Sequence, residues 1–290
     1  MICFVVLNYN ASKMTIDYVH KLKQLSWEEY DYKIIIVDNN SNDKEQPLLH
    51  TEFIDDERII TKFLSTNIGF ARGNNVGIQI AKECGADLIV VSNNDIVIKD
   101  INFPQKIMEI YNRENFAVYG PQIYCPRKDE YQNPYALRIP SLMEEENKLK
   151  KINERLFLIK IIKVLHLYDA ISNLLKLKMK KKKDKDYKHR QENVVLHGSF
   201  FVISKEYLSI YPDGLFSETF LYGEEDLLAL RCQVKKLKMI YDPTISVIHL
   251  DGISSLKTTG NKCNKYLFEL SERRKSCEVT IDYMKKLNVK

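Results

Sequence analysis

The chain has 290 residues, of which 44% are hydrophobic and 29% charged, and its formal net charge is +5. This composition permits one large or two small domains with a sizeable core, and it argues against disorder along the whole chain. The six cysteines are scattered without a C-x-x-C pair, which favours reduced thiols of an intracellular protein over a zinc site or a disulfide framework.

The N-terminal segment ICFVVLNYN lacks the basic start of a signal peptide, so it is predicted to be the first strand. No stretch of about 18 uncharged apolar residues occurs, and no transmembrane helix is therefore predicted. From these two features we expect the protein in the cytosol or on the cytosolic face of the cell membrane.

The first hundred residues alternate between apolar runs and helical segments. Strands are predicted in ICFVVLN, YKIIIVDNNS, RIITKFLS and DLIVVSNND. Helices are predicted over about residues 14–25 and in the segment that ends at Gly85. Apolar strands separated by helices are typical of a parallel sheet covered on both faces. The predicted fold class is therefore α/β, with a Rossmann-like and mainly parallel sheet.

The second half of the chain adds further strands and helices. FAVYGPQIY, NVVLHGSFFVIS and MIYDPTISVIHL are predicted as strands, and Ser204 is expected to cap the short helix KEYLSIY. EEDLLALRCQVKKLK is predicted as an amphipathic helix whose first turn is acidic, as the helix dipole favours. A closing helix is predicted in YLFELSERRKSCEVTIDYMKKL.

Polar clusters fall where the predicted strands end, which is where ligands bind in open α/β sheets. The chain has no P-loop and no G-x-G-x-x-G after a strand, which argues against P-loop enzymes and ordinary dehydrogenases. Phosphates would then need a metal ion, and Mg²⁺ or Mn²⁺ prefers hard oxygen ligands. Asp95, beside Asn93 and Asn94, suits that role; the alternative is a polar turn between two strands.

Two further features are candidates for chemistry. Glu224, Glu225 and Asp226 share one helical turn, where a carboxylate aimed into a cleft could act as a general base; the alternative is simple complementarity to the helix dipole. Gly198 interrupts a strand pattern, which indicates close approach of a ligand or a bulge. His249 follows an apolar strand, and a lone histidine there can also be purely structural.

In chain order the motifs are N-Y-N, V-D-N-N-S, N-I-G-F-A-R-G-N-N-x-G, S-N-N-D, H-G-S-F-F, Y-G-E-E-D-L-x-x-L-R and V-I-H-x-x-G-x-S. Together they resemble those of family 2 glycosyltransferases with the GT-A fold, and most of all the rhamnosyltransferase and capsular-polysaccharide branch. The resemblance covers about residues 2–141 and 193–275. It implies a donor-binding half (1–141), a basic helical insert (142–192), an acceptor-binding and catalytic half (193–260) and a C-terminal helix (261–290).

The resemblance also implies roles for individual residues. Asp38 would contact the pyrimidine base of the donor, Asp95 would bind Mg²⁺ or Mn²⁺, and His249 would contact the metal or the diphosphate. The other implied donor-site residues are Tyr9, Asn10, Asn39, Asn67, Gly69, Arg72, Asn74, Asn75, Asn93 and Asn94. The implied acceptor-site residues are Gly198 and Ser199.

This sequence departs from the family pattern at two places. Asn93 stands where the family has the first acid of its D-x-D motif, which leaves the metal affinity open. The acidic motif reads G-E-E-D-L, so counting back from Arg231 indicates Glu225 as the base, while residue type favours Asp226. We expect Glu225.

The implied function is inverting transfer of a sugar, rhamnose or similar, from a UDP- or dTDP-sugar to a glycan acceptor in cell-surface polysaccharide synthesis. A lipid-linked acceptor is expected. One alternative is a non-enzymatic, membrane-associated scaffold in polysaccharide assembly. Another is a sugar-phosphate nucleotidyltransferase, which normally has a glycine-rich N-terminal loop that VLNYNASK lacks.

The insert is strongly basic, with 15 Lys and Arg against four acids between Lys148 and Arg190. Lys160, Lys163 and His166 form a narrow polar stripe on an otherwise apolar helix. Broad apolar faces with lysine-rich flanks suit the surface of an anionic membrane, where we expect peripheral binding. The alternative is packing against the rest of the chain or a second subunit in a homodimer. The apolar face argues against nucleic acid as the partner.

Overall fold

The computed structural model describes residues 1–164, 186–251 and 262–289. The strands are β1 (Ile2–Asn8), β2 (Tyr32–Asp38), β3 (Ile59–Phe63), β4 (Leu88–Ser92), β5 (Ile96–Ile98), β6 (Val118–Cys125), β7 (Glu130–Tyr131), β8 (Gln191–Glu192), β9 (Phe200–Ser204) and β10 (Met239–His249). The helices are α1 (Ser12–Lys23), α2 (Gln46–Phe53), α3 (Phe70–Glu83), α4 (Phe103–Glu114), α5 (Leu142–Val164), α6 (Lys205–Ile210), α7 (Glu224–Val234) and α8 (Lys262–Lys286).

All ten strands belong to one mixed sheet, in the order β3–β2–β1–β4–β9–β6–β10–β5, with β7 beside β6 and β8 beside β10. The strands from β3 to β4 run parallel, and β9 and β5 are antiparallel to their neighbours. The register places Asn8 opposite Asp38, so both lie at the same sheet edge. The predicted α/β class with a mainly parallel, helix-flanked sheet is confirmed.

Side chains of β1 alternate between two hydrophobic cores, one on each face of the sheet. Phe4 and Val6 belong to the core that also contains residues of α1 and α4, whereas Cys3 and Val5 belong to the core on the side of α3. The α3 helix packs very closely, because a Cβ on Gly77 would lie 2.4 Å from a methyl carbon of Val5. Each fully buried aliphatic side chain contributes about 1.5–3 kcal/mol to folding.

Two local predictions in the second half differ from the structure. Ser204 takes the N-cap position of α6, as predicted, but its side chain makes no capping hydrogen bond; its hydroxyl donates to the carbonyl of Phe116 at 2.7 Å. The predicted strand NVVLHGSFFVIS is shorter than expected, since only Phe200–Ser204 pairs as a strand. Upstream of it, Val195 forms an isolated bridge with Ala136.

The described part of the insert packs against the rest of the chain, which was the alternative to membrane binding. Ile152, Ile159 and Ile162 of α5 pack in small apolar clusters with residues of α8, among them Leu270 and Ile281. Residues 165–185, which include His166 and most of the lysine-rich run, lie outside the described residues, as does Gly252. No helix among the described residues combines the length and apolar character needed to cross a bilayer.

Candidate active site

Asp95 and His249 form a buried pair at the edge of the sheet. Asp95 ends the turn after β4, and His249 ends β10 next to β5, so strand pairing brings the two side chains together. Nε2 of His249 lies 3.2 Å from Oδ1 of Asp95, and the two side chains are 7% and 4% exposed. Although His249 is this close, Oδ1 has no hydrogen-bond donor among the described residues.

The hydrogen bond of the other ring nitrogen explains that orphaned oxygen. Nδ1 of His249 lies 2.7 Å from Oε1 of Gln132. An amide oxygen only accepts, so Nδ1 is the donor in this hydrogen bond. In the neutral ring Nε2 then presents a lone pair, and Nε2 and Oδ1 of Asp95 face each other with electron pairs, an arrangement that a cation between them would stabilise.

This donor set fits the divalent metal that the resemblance implies. Ligands of Mg²⁺ at about 2.0–2.1 Å in adjacent octahedral positions are about 3 Å apart, close to the distance between the two atoms. The structure shows no group of three or more acidic, histidine or cysteine side chains around a metal position within the described ranges. Diphosphate oxygens and water would have to supply the remaining ligands, which is usual for Mg²⁺.

Asp38 lies at the centre of a buried polar network below the same sheet edge. Its side chain is fully buried and accepts from Nδ2 of Asn8 at 2.7 Å, the amide of Ser41 at 2.9 Å and Nε2 of Gln46 at 3.0 Å. A carboxylate offers about four lone-pair positions, so little acceptor capacity is left for a ligand. The predicted contact with a base stays a prediction.

The same network reaches the turn that carries Asp95. Asn8 accepts from the hydroxyl of Thr15, which in turn accepts from Nδ2 of Asn94 at 2.9 Å. The Asn94 side chain is thus directed into the protein. Tyr9, which follows β1, is 40% exposed. The backbone N–H of Asn10 donates to the Ser41 hydroxyl at 2.8 Å.

Asn39 holds the loop before α3. Its amide group donates to Oδ1 of Asn67 and to the carbonyl of Gly69, and its oxygen accepts from the amide of Ile68. Gly69 has φ +90°, and a Cβ there would lie 2.4 Å from the carbonyl oxygen of Phe220. Only glycine allows this close approach, which joins the loop to the segment leading into α7.

Arg72 and Asn75 hold that segment through hydrogen bonds, and their predicted role in the donor pocket stays a prediction. Nε of Arg72 donates to the carbonyl of Ser217 at 2.7 Å, and the Asn75 amide makes reciprocal hydrogen bonds with the backbone of Leu215 at 2.7 and 2.8 Å. Asn74 is buried within α3 and donates to the carbonyl of Phe70. The motif N-I-G-F-A-R-G-N-N-x-G thus holds residues 215–220 in place through hydrogen bonds.

The three acids at the start of α7 point in different directions, as residues about 100° apart on a helix must. Glu224 lies 3.4 Å from the hydroxyl of Thr219. Glu225 accepts a hydrogen bond from the amide of Gly198. Asp226 lies 3.7 Å from Nζ of Lys148 on α5.

Burial raises the pKa of each of the three carboxyls. For Glu224 burial and the charge of Glu225 raise the pKa to about 8. Burial also raises the pKa of Glu225, and the charge of Asp226 adds to this rise while the hydrogen bonds to backbone amides oppose it. A carboxylate with a raised pKa is a stronger base near neutral pH, which suits proton abstraction.

Gly198 and Ser199 connect the acids to the Asp95 turn. The Ser199 carbonyl accepts a hydrogen bond from the backbone N–H of Asn93 at 2.8 Å. Ser199 directly follows Gly198, the glycine that contacts Glu225. His197 precedes them, with its ring centroid 5.7 Å from that of His249. The structure thus brings Asn93, Asp95, Gly198, Ser199, Glu225 and His249 into one continuous site.

Sequence reasoning missed several residues around this site. Gln132 orients His249 from 117 positions away in the chain, and Lys148 approaches Asp226 from the insert. The charge of Arg273 on α8 lowers the pKa of Glu225 against the larger effect of burial. None of these positions carries a periodic or motif signal. Only the basic character of the insert pointed toward Lys148.

A sequence model described as Glycosyl transferase family 2 matches residues 3–209. The dTDP-rhamnosyl transferase RfbF of Shigella flexneri is 27% identical over 130 residues, which are 43% of this chain and 42% of that relative. The match thus spans less than half of the curated relative.

Solved structures resemble the whole fold. TarS 1-349 of S. aureus covers 87% of this chain with TM-score 0.51 and 10% identity, over 58% of its own length. The complex of the same protein with UDP-GlcNAc covers 93% of this chain with TM-score 0.54 and 9% identity, over 64% of its own length. The mannosyltransferase PcManGT of Pyrobaculum calidifontis, in complex with GDP-Man and Mn²⁺, covers 98% with TM-score 0.55 and 9% identity, over 75% of its length. These likenesses confirm the predicted GT-A fold.

Proposed function

The chain belongs to glycosyl transferase family 2, and from this premise we propose that it transfers a sugar, rhamnose or similar, from a UDP- or dTDP-sugar to a glycan acceptor with inversion. The observation that carries the proposal is the continuity of the Asp95–His249 pair with Glu225 through residues 197–199. The curated relative described as a dTDP-rhamnosyl transferase supports the choice of donor.

Glu225 is the proposed base. Its carboxylate takes the proton from an acceptor hydroxyl, whose oxygen bonds to the anomeric carbon while the bond from that carbon to the diphosphate oxygen breaks. Attack opposite the leaving group inverts the anomeric configuration. A positioned general base contributes about 10²–10⁴-fold to the rate. Of the three acids, Glu225 is the one that contacts the Gly198 segment.

Asp95 and His249 would hold the Mg²⁺ or Mn²⁺ ion. When bound, the ion acts as a Lewis acid and stabilises the charge on the departing diphosphate. Gln132 fixes the tautomer of His249 that leaves Nε2 free to coordinate. The network around Asp38 keeps the turn and the neighbouring strand ends rigid, which favours a pre-organised donor site.

We further propose that the insert binds an anionic membrane, where a lipid-linked acceptor would be found. The side of α5 opposite its contact with α8 is apolar and exposed, with Phe157 at 70% and Val164 at 76% exposure and Leu158 and Ile161 between them. Lysines of the same helix could contact anionic headgroups, each worth about 1 kcal/mol near such a surface. A second copy of this chain could cover the same face instead.

The test is release of nucleotide diphosphate from UDP- and dTDP-sugars with Mn²⁺, with chelator and in an E225Q variant. Slow hydrolysis replaces transfer when no acceptor is supplied, so the unknown acceptor is no obstacle. We expect metal-dependent release that E225Q reduces by at least about 100-fold. No release from any pyrimidine nucleotide sugar would favour the non-enzymatic scaffold.

A further inference from the structure

Three helices beside Glu225 are joined by a cluster of side chains around Lys148 and Glu145. Nζ of Lys148 on α5 lies 2.9 and 3.1 Å from the carboxylate oxygens of Glu145, one turn earlier, and 3.7 Å from Oδ2 of Asp226 on α7. The thiol of Cys277 on α8 donates to Oε2 of Glu145 at 3.1 Å. One charged cluster therefore joins the insert, the catalytic helix and the C-terminal helix.

Asp226 is the neighbour that could compete with Glu225 for the role of base. The two carboxylates are adjacent on the first turn of α7, but Asp226 faces the insert and Glu225 faces Gly198. Lys148 is the cation beside Asp226, and Glu145 is the acid beside it. The other charged or titratable groups that act on or respond to Glu225 are Glu224, Arg273 and Tyr135.

We propose, resting on the assignment of Glu225 as the base, that Lys148 is a positioning residue that draws the Asp226 carboxylate toward the insert and leaves Glu225 to face Gly198. The insert thereby takes part in the active site, besides any role on a membrane. The Lys148 side chain on α5 reaches Asp226 on α7, so this contact depends on how α5 packs against the catalytic and C-terminal helices.

Removal of this cation has opposite effects on the two carboxylates. Burial and the charge of Glu145 both raise the pKa of Asp226, and Lys148 opposes them. Without Lys148, Asp226 binds a proton at higher pH and is uncharged over a wider pH range. In that range its charge no longer raises the pKa of Glu225, so the pKa of Glu225 falls.

Carboxyl ¹³C NMR titration of the full chain, labelled at Asp and Glu, measures both groups without donor or acceptor. Signals are assigned with E225Q and D226N. In K148M we expect the Asp226 midpoint to rise and the Glu225 midpoint to fall. K148R keeps the cation and should retain both wild-type midpoints. An Asp226 midpoint that does not move in K148M overturns the proposal.

Glu145 is 1% exposed, so K148M leaves a buried carboxylate without its cation and is expected to weaken the helix junction. The E145Q/K148M variant removes both charges and keeps the junction neutral. The same opposite movement is expected there, because Lys148 affects Asp226 more than Glu145 does; unmoved midpoints would refute it. Normal turnover in E225Q would overturn the assignment of Glu225 as the base, and no release from any pyrimidine nucleotide sugar would overturn the proposed function, whatever the titration gives.

Discussion

Glu225 and Gly198 are so close that a methyl group on Gly198 would lie 3.0 Å from Oε1 of the glutamate. The glycine makes room for the carboxylate, and its amide also orients it through a hydrogen bond. The next residue, Ser199, accepts from the Asn93 amide at the end of β4. The proposed base is therefore held by backbone at a fixed position relative to the turn that carries Asp95.

The first prediction concerns the choice among the three acids. E225Q should lower kcat by about 10²–10⁴-fold, because the amide cannot accept the acceptor's proton. Affinity for the nucleotide should change little, as Glu225 is not among its proposed ligands. E224Q and D226N are matched controls on the same helical turn, and both should retain more activity than E225Q. Steady-state kinetics would contradict the assignment if D226N were the most impaired of the three.

The second prediction concerns the clamp between the α3 loop and residue 220. In G69A the new methyl group would lie 2.4 Å from the carbonyl oxygen of Phe220, so backbone must shift. Gly85 is the control, because it has a similar φ of +80° but no atom within 4 Å of a Cβ. G69A should lower the free energy of unfolding in urea by about 1–3 kcal/mol more than G85A does. Equal losses would mean that the close approach is unimportant.

The third prediction concerns pH. The pKa of Glu224 is raised to about 8 in the folded protein, above its ordinary value, so the folded state holds a proton that the unfolded state releases. The contribution of this group is therefore favourable at low pH and is lost as pH rises toward 8, with a slope of at most about 1.4 kcal/mol per pH unit. Urea midpoints between pH 5 and 8 should fall less steeply in E224Q than in wild type; parallel curves would exclude this linkage.

The fourth prediction concerns the exposed face of α5. F157S and V164S should each weaken co-sedimentation with vesicles that contain anionic lipid, because both remove apolar surface that would insert at the interface. I54S serves as the control, since Ile54 is 63% exposed elsewhere in the chain. If the wild-type protein stayed in the supernatant and sedimented as a dimer by ultracentrifugation, a second subunit would be the occupant of this face.

The strands of the central sheet could be predicted because each is a continuous apolar run. Buried parallel strands need apolar side chains on both faces, as β1, β2 and β4 show. The helices α2 and α4 were missed. α2 has only eight residues and buries only Leu49 and Phe53, whereas α4 buries Phe103, Ile107 and Ile110 at helical spacing, a signal from which it could have been predicted. Ser204 takes the predicted N-cap position, but its side chain makes no capping hydrogen bond, and its hydroxyl donates to the Phe116 carbonyl, 88 residues away.

The site was predictable to the extent that it follows strand and helix ends. Asp95, His249 and Glu225 each lie at such an end, and the structure brings them into one site. The sequence carried no sign of Gln132 or Lys148, whose roles come from contacts between distant segments. Arg72 and Asn75 make hydrogen bonds to residues 215–217, and their part in a donor pocket stays a prediction.

Calorimetric titration with UDP, dTDP and their sugars, with and without Mn²⁺, tests the central claim most directly. We predict metal-dependent binding of at least one pyrimidine nucleotide diphosphate, lost in D95A because the orphaned carboxylate that would hold the metal is removed. D100N, which changes a partly exposed acid just after β5, should bind as wild type does. If no pyrimidine nucleotide diphosphate bound under either condition, the account of the donor site would be wrong.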